Sequence, residues 1–170
     1  MLTLITGGCR SGKSARAIAI ASTLAAPRKF FIATAEPLDD EMRARIRHHR
    51  HLRPAEFETI EEPRKLAAAI ASVYGRADVV VIDCLTLWIA NLLQDHRDDA
   101  ILAEVDVLAK ALNHAPFSAI MVTDEVGWGI VPDNPVARRF RDLLGWSNQK
   151  IARAADELLL MAAGYALRLK

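Results

Sequence analysis

Two cysteines, Cys9 and Cys84, are all the thiols the chain carries, and they show no metal-ligand spacing. This argues against a disulfide framework or a zinc site, and free thiols make the cytoplasm the expected compartment. No run of about 18 residues is apolar and free of charge, and the first residues already read as a strand, so neither a membrane span nor a signal peptide is expected. Charge of one sign is missing too. A net charge of +1 gives nucleic acid or an anionic membrane nothing global to grip. Glycine and proline, 8 and 7 of 170 residues, form no low-complexity tract, and no repeat or linker divides the sequence. What is there is ordinary for a globular protein: 52% apolar and 25% charged. Residues 1–170 therefore read as a single domain with one sizeable core.

Strand and helix signals alternate along that domain. Apolar runs at residues 2–6, 29–33, 78–83 and 119–123 read as strands, and Asp78-Val79-Val80-Val81-Ile82-Asp83 is apolar throughout its middle, as in a sheet covered on both faces. Helices are expected at 15–26, 39–52, 63–74, 86–94, 98–113 and 135–155, with a weak point at Gly145. Residues 157–162 and 165–169 flank Gly164 as a terminal hairpin. The pattern predicts an α/β three-layer sandwich with a mostly parallel sheet and an antiparallel last strand at its edge.

The first strand runs into Gly7-Gly8-Cys9-Arg10-Ser11-Gly12-Lys13-Ser14, which fits the phosphate-binding pattern G-x-x-x-x-G-K-[S/T] between a strand and a helix. The chemistry explains the spelling. Gly7 and Gly12 let the backbone wrap a phosphate without a Cβ in the way, so successive N–H groups converge on the anion. The helix beginning near Lys13 adds its positive dipole end. Lys13 reaches the outer phosphates, and the Ser14 hydroxyl is placed to ligate Mg²⁺. A glycine-rich turn of no function matches the four fixed positions in roughly one chain of this length per hundred. The flanking strand and helix make chance rarer still. The chain is read as binding a nucleoside triphosphate.

Ligands in such sheets collect beyond the carboxyl ends of the strands. Besides the loop, Ala33-Thr34-Ala35, Asp83 and Thr123-Asp124-Glu125 occupy such ends. Asp83 reads as the acidic partner of the metal, with a helix cap as its structural alternative. Asp124 and Glu125 remain open between a cap, a general base and a structural role. Residues 39–53 form a helix with acid at its start and base at its end, complementing the dipole as any well-charged surface helix does. Yet Met42, Ile46 and His49 fall at i, i+4, i+7 on one stripe, so His49 points where the apolar residues point. His48 lies with Arg45 and Leu52 on the adjoining face. A neutral imidazole among Arg47, Arg50 and Arg53 is suited to attack a phosphate that the guanidiniums hold. Glu61 offers a carboxylate matching a guanine N1–H and amine, or is simply a solvated acid beside Glu62. Trp88 and the 87–93 stripe read as core or subunit interface, and the glycine-flanked Trp128 either packs in its loop or covers a large ligand.

The opening ITGGCRSGKS, the block IATAEPLDDEMRARIRHHRHLRP, the block VVVIDCLTLWIANLL and the block VTDEVGWGIVPDNPVARRFRDLLGWSNQKIARAADELLLMAAG occur in this order. Together they resemble the bifunctional adenosylcobinamide kinase / adenosylcobinamide-phosphate guanylyltransferase family of cobalamin biosynthesis, over nearly the whole chain and on a P-loop NTPase-type fold. The first motif is common to very many NTPases; the second and fourth are specific. The resemblance implies phosphorylation of adenosylcobinamide by ATP or GTP. Guanylyl transfer from GTP to the resulting phosphate then follows through a covalent guanylyl-histidine. In the family pattern R-I-x-x-H-x-x-x-R-P the nucleophile matches His49, reached through Arg45 and Ile46 and followed by Arg53 and Pro54. His48 and Lys13 complete the catalytic set. Nucleotide contacts carry over to Gly7, Gly8, Cys9, Arg10, Ser11, Gly12, Lys13, Ser14, Ala33, Thr34, Ala35, Arg50, His51, Leu52, Arg53, Glu61 and Asp83, and a Mg²⁺ to Ser14 and Asp83. The same resemblance suggests a homo-oligomer, a trimer. Two other readings stay open on the residues alone: a small-metabolite P-loop kinase without a covalent step, and a nucleotide-operated binding module using the basic helix.

Overall fold

The computed structural model describes residues 1–170 apart from the side chain of Leu52. Seven strands build one sheet: β1 (Leu2–Gly7), β2 (Lys29–Ala33), β3 (Phe57–Glu61), β4 (Val79–Asp83), β5 (Ser118–Val122), β6 (Glu157–Ala162) and β7 (Tyr165–Arg168). Their order is β3-β2-β4-β5-β1-β6-β7, parallel throughout except for β7, which pairs antiparallel with β6 at one edge. The expected three-layer architecture and terminal hairpin are both present. P-loop NTPase topology follows from where β5 lies: it separates β1, which leads into the phosphate loop, from β4, which ends in Asp83.

Six helices cover the sheet: α1 (Lys13–Thr23), α2 (Asp40–Leu52), α3 (Leu66–Ser72), α4 (Leu85–Leu92), α5 (Asp98–Asn113) and α6 (Pro135–Ala154). The layers are unequal. One face packs Leu66 and Ile70 of α3, Trp88 and Ile89 of α4, Val105 and Leu108 of α5 and Leu143 and Ile151 of α6 against Leu4, Ile32, Val80, Ile82 and Met121. The other face carries the small residues Ala17 and Ala21 of α1 against Ile5, Phe31, Val81, Ile120 and Met161. Small residues bring α1 close to the sheet, which fixes the end of β1 relative to the first turn of the helix.

Four sequence readings need amending or deciding. The segment 57–61 is a strand, β3, unforeseen because an edge strand with mostly exposed residues shows no apolar run. The helix expected over 63–74 is shorter, since the Glu62 carboxylate takes the backbone N–H groups of Arg64 and Lys65 at 2.9 and 2.8 Å and the helix starts only at Leu66. Gly145 does not weaken α6, which runs unbroken past it. Trp88, fully buried, is core rather than interface.

Candidate active site

The phosphate loop is held from outside by the terminal hairpin. Gly7 has φ +150°, and a Cβ there would lie 2.4 Å from the Met161 carbonyl oxygen. Gly12 caps α1 in a left-handed conformation, φ +98°, with the Gly164 Cα only 3.4 Å from where its Cβ would be. The Gly164 N–H donates to the Ser11 carbonyl at 3.0 Å, so the hairpin turn braces the loop. The Met161 contact excludes a side chain at Gly7 for a steric reason that the phosphate pattern alone does not supply, whereas at Gly12 the left-handed backbone disfavours one and the hairpin lies at ordinary van der Waals distance.

Lys13 is 7% exposed; its ammonium donates to the Gly8 carbonyl at 2.6 Å and meets Asp124 Oδ1 at 2.7 Å. Asp124 is thus the carboxylate at the loop lysine, a role that was open in the sequence. Its backbone N–H donates to Thr86 Oγ1 at 2.7 Å, and its carbonyl accepts from Asn148 Nδ2 at 3.1 Å. The next residue, Glu125, donates its N–H to the Gly7 carbonyl at 3.0 Å. Ser11 Oγ and Thr6 Oγ1 are buried without a hydrogen-bond partner among the described residues. Gly8, Cys9 and Arg10 are exposed along the loop, and Ser14 is half-buried in the first turn of α1.

Asp83 faces a different group. Its Oδ2 stands 3.8 Å from His49 Nδ1, beyond hydrogen-bond reach and within electrostatic range. With β5 between β4 and β1, Asp83 sits about 10 Å across the sheet from the end of β1. Ala33, at the end of β2, pairs in register with both Asp83 and Glu61, which brings three of the expected contact segments side by side. Thr34 is fully buried, its hydroxyl donating to the Cys84 carbonyl at 2.7 Å and accepting from the Cys84 N–H at 2.8 Å. Its side chain is spent on the fold, so what it offers a ligand is backbone. Ala35 is half-buried beside it.

Helix α2 behaves as its stripe foretells. Met42, Ile46 and His49 are half-buried, while the remaining described side chains from Asp40 to His51, His48 included, are exposed. Asp39 caps the helix by accepting from the Met42 N–H at 2.7 Å. Arg50 Nε donates to Glu61 Oε1 at 2.9 Å, engaging one oxygen of that carboxylate. His51 Nδ1 lies 2.7 Å from the Arg47 carbonyl, turned along the helix. The Leu52 side chain lies outside the described residues. Arg53, just past the helix, lies over the Phe31 ring at 4.1 Å, and its Nε and Nη1 are buried without partners among the described residues. Burial pulls the Arg53 pKa below the usual guanidinium range, against the opposing pull of Asp83 and Glu61.

The fold therefore gathers the expected residues along one sheet edge in two groups: the loop with Lys13 and Asp124, and His49 with Asp83, Arg50, Arg53 and Glu61. Four polar side chains that brace these groups escaped the sequence reading: Thr86, which follows Asp83 in the chain and holds Asp124, Asn148 on Asp124, and Asn91 and the Thr34 hydroxyl on the backbone after β2, β3 and β4. A buried Asn within the apolar stretch Leu85–Leu92 was the available signal, since such a residue needs partners.

Against known proteins, residues 3–169 match the family model described as cobinamide kinase / cobinamide phosphate guanyltransferase. The chain is 40% identical over 183 residues to the bifunctional adenosylcobalamin biosynthesis protein CobU of Salmonella typhimurium, covering 100% of both chains. It is 40% identical over 172 residues to the protein named CobP of Pseudomonas aeruginosa, covering 100% of this chain and 98% of that one. Among solved structures it resembles a type III secretion ATPase, with TM-score 0.60, 11% identity and coverage of 98% of this chain and 56% of that one, a likeness of fold alone. The RadB recombinase is similar in the same sense, with TM-score 0.50, 17% identity and coverage of 94% and 73%. With full-length matches at this identity, the chain belongs to the cobinamide kinase / cobinamide phosphate guanyltransferase family.

Proposed function

We propose that the protein phosphorylates the aminopropanol hydroxyl of adenosylcobinamide and then transfers GMP from GTP to the phosphate it has made. The observation that carries this reading is the meeting of two unlike devices on one sheet edge: a phosphate loop with a buried lysine, and a basic helix that turns one histidine inward to a carboxylate. A kinase alone needs only the first. In the kinase step the hydroxyl oxygen attacks the γ-phosphorus of the nucleotide and the nucleoside diphosphate leaves. Lys13 exchanges Asp124 for phosphate oxygens, and the loop amides hold the rest of the charge. The partnerless Ser11 hydroxyl supports an anion in the cradle.

In the transfer step His49 attacks the α-phosphorus of GTP, pyrophosphate leaves, and the corrinoid phosphate oxygen then displaces the imidazole to give adenosylcobinamide-GDP. Asp83 facing Nδ1 favours Nε2 as the attacking atom, and Arg50, bonded to Glu61, and Arg53, within the pull of Asp83 and Glu61, are the cations of that group. Glu61 reads guanine, and Arg50 must share or release that carboxylate as the base arrives. Mg²⁺ would be held by the Ser14 hydroxyl and the Asp83 carboxylate, hard oxygen donors that fit it, and when bound it neutralises phosphate charge. His48, exposed one position away, assists orientation only. Trp128, 77% exposed in the loop after β5, suits the broad apolar face of a corrinoid.

We assign the enzyme to the cytoplasm, in keeping with its unpaired thiols, and to a homo-oligomer. The outer edge strand β7 is exposed along its length, with Tyr165 and Leu167 outermost, as a surface for another copy would be. Incubation with GTP labelled at the α-phosphate, followed by mass mapping, tests the central claim. A guanylylated peptide containing His49 is expected. Kinase turnover without any covalent species would reduce the protein to a monofunctional kinase.

A further inference from the structure

Asn91 lies on α4, 4% exposed, and with Thr86 is one of two buried polar residues in a helix whose other buried residues are apolar. Its amide Nδ2 donates to the Thr34 carbonyl at 2.8 Å and to the Pro63 carbonyl at 3.0 Å. Both protons of one amide are thereby used, each on a different loop: one just past β2, the other two residues past Glu61. Three residues earlier on the same helix face, Trp88 Nε1 donates to the Arg64 carbonyl at 2.8 Å. Arg64 in turn reaches back to Glu36 of the β2 loop at 3.0 Å. Thr34, the other end of the Asn91 bond, grips both backbone groups of Cys84, next to Asp83.

We propose that Asn91 is a positioning residue for guanine recognition: it sets the separation of the loops after β2 and β3, and so the place of the Glu61 carboxylate relative to the nucleotide. The proposal rests on the reading of Glu61 as the guanine acceptor. The physical reason lies in β3 itself. It is an edge strand held by β2 on one side only, with exposed residues along most of its length, so the sheet alone leaves its carboxyl end weakly determined. A base reader must be held to within a fraction of an ångström for two hydrogen bonds to form together. The two donors of Asn91 supply that constraint from the core side, where water cannot compete for the carbonyls. An aspartate of the same shape would turn an acceptor toward both carbonyls, and a leucine would leave both unpartnered.

The test compares GTP with inosine triphosphate, which lacks the guanine amine, as donors in formation of the labelled histidine adduct. Asn91→Leu and Asn91→Asp are expected to raise KM for GTP and cut the preference for GTP over inosine triphosphate by about tenfold, while adduct formation at saturating GTP stays within about twofold. Asn91→Ser, which keeps one donor, serves if both of these fail to fold, with a smaller loss of preference expected. Val105→Ala on α5, buried in the same core layer, is the control for general loosening, and should lower the melting temperature and leave the preference intact. If Glu61→Gln retains the preference, the reading of Glu61 fails and the inference with it. If Glu61→Gln loses the preference but the Asn91 variants keep it, the inference alone is overturned. It is overturned equally if Val105→Ala loses preference in step with its melting temperature, since any loosening of the core would then do the same.

Discussion

The loop end and the α2 end of the sheet edge are built in opposite ways. Around the loop, backbone meets backbone: Gly7 against Met161, Gly12 against Gly164, Glu125 N–H on the Gly7 carbonyl, and a lysine buried against its carboxylate. Around α2, long side chains do the holding. Arg50 bonds Glu61 at the surface, Arg53 rests on Phe31, and among the described side chains of the helix only Met42, Ile46 and His49 turn inward. A phosphate cradle works by dipoles fixed before the ligand arrives, which demands rigid backbone. A helix that carries a nucleophile must instead approach GTP, hold a covalent GMP and let a second substrate in. A surface tether such as Arg50 to Glu61 permits that, because it costs little to break.

Removing the centre of each region gives the two largest effects, and they differ in scope. His49→Ala should abolish the guanylylated species and the transferase activity, and leave kinase turnover within about tenfold, since phosphoryl transfer to a hydroxyl needs no protein nucleophile. His48 stands about 100° around the helix, so His48→Ala should weaken labelling without eliminating it. Survival of the label in the His49 variant and its loss in the His48 variant would show that the wrong face of α2 had been chosen. Lys13→Ala, by contrast, should lower both activities by at least about a hundredfold, because the same loop serves both nucleotides. Near-normal turnover in either assay would separate the loop from that reaction.

Asp83 stands between the regions and sharpens the comparison. Asp83→Asn should raise the Mg²⁺ concentration needed for half-maximal activity by about tenfold while weakening nucleotide binding less, because the loop amides hold the phosphates. A Mg²⁺ titration at fixed GTP decides it. Unchanged metal dependence with slower labelling would leave Asp83 as the partner of His49 alone.

The two cysteines give a milder contrast. Burial pushes the Cys84 thiol up to about 12, whereas Cys9 is exposed on the loop. A thiol-alkylating reagent at neutral pH should therefore modify Cys9 first, with GTP slowing the reaction, and reach Cys84 only on unfolding. Alkylation indifferent to GTP would mean that the nucleotide does not cover the loop.

The legibility of the two regions in the sequence differs for the same physical reason. The loop's spelling follows from local sterics and hydrogen bonding, so Gly7, Gly12, Lys13 and Ser14 stand out in one line of residues. The inward face of α2 was also legible, since a helical period puts Met42, Ile46 and His49 together whatever they pack on. Asp124 was not, because its meeting with Lys13 depends on β5 lying beside β1, and strand order is a property of the whole fold. Nor was β3, whose mostly exposed residues resemble a loop. The partners of Asn91 and Thr34 are hidden for a further reason: each side chain acts on backbone carbonyls or amides, which carry no residue signature, so a polar residue in an apolar stretch is the one sign of Asn91.

The smallest effect tests whether the side-chain-tethered region is as independent as its construction suggests. Asp39 caps α2 through the Met42 N–H at 2.7 Å, a bond within the first turn of the helix itself. Replacing a capping aspartate by alanine costs a helix about 1 kcal/mol. In a helix packed along its length the loss would merely lower the melting temperature. In α2, held by a few inward side chains, it should fray the first turns and leave the His49 end less well placed. Asp39→Ala is therefore expected to slow adduct formation by about threefold to fivefold, with kinase turnover unchanged and the midpoint of thermal unfolding hardly moved, since that transition reports the core. Equal slowing of both reactions would show that α2 and the loop are coupled, and that the division of the sheet edge into a rigid and a yielding half is wrong.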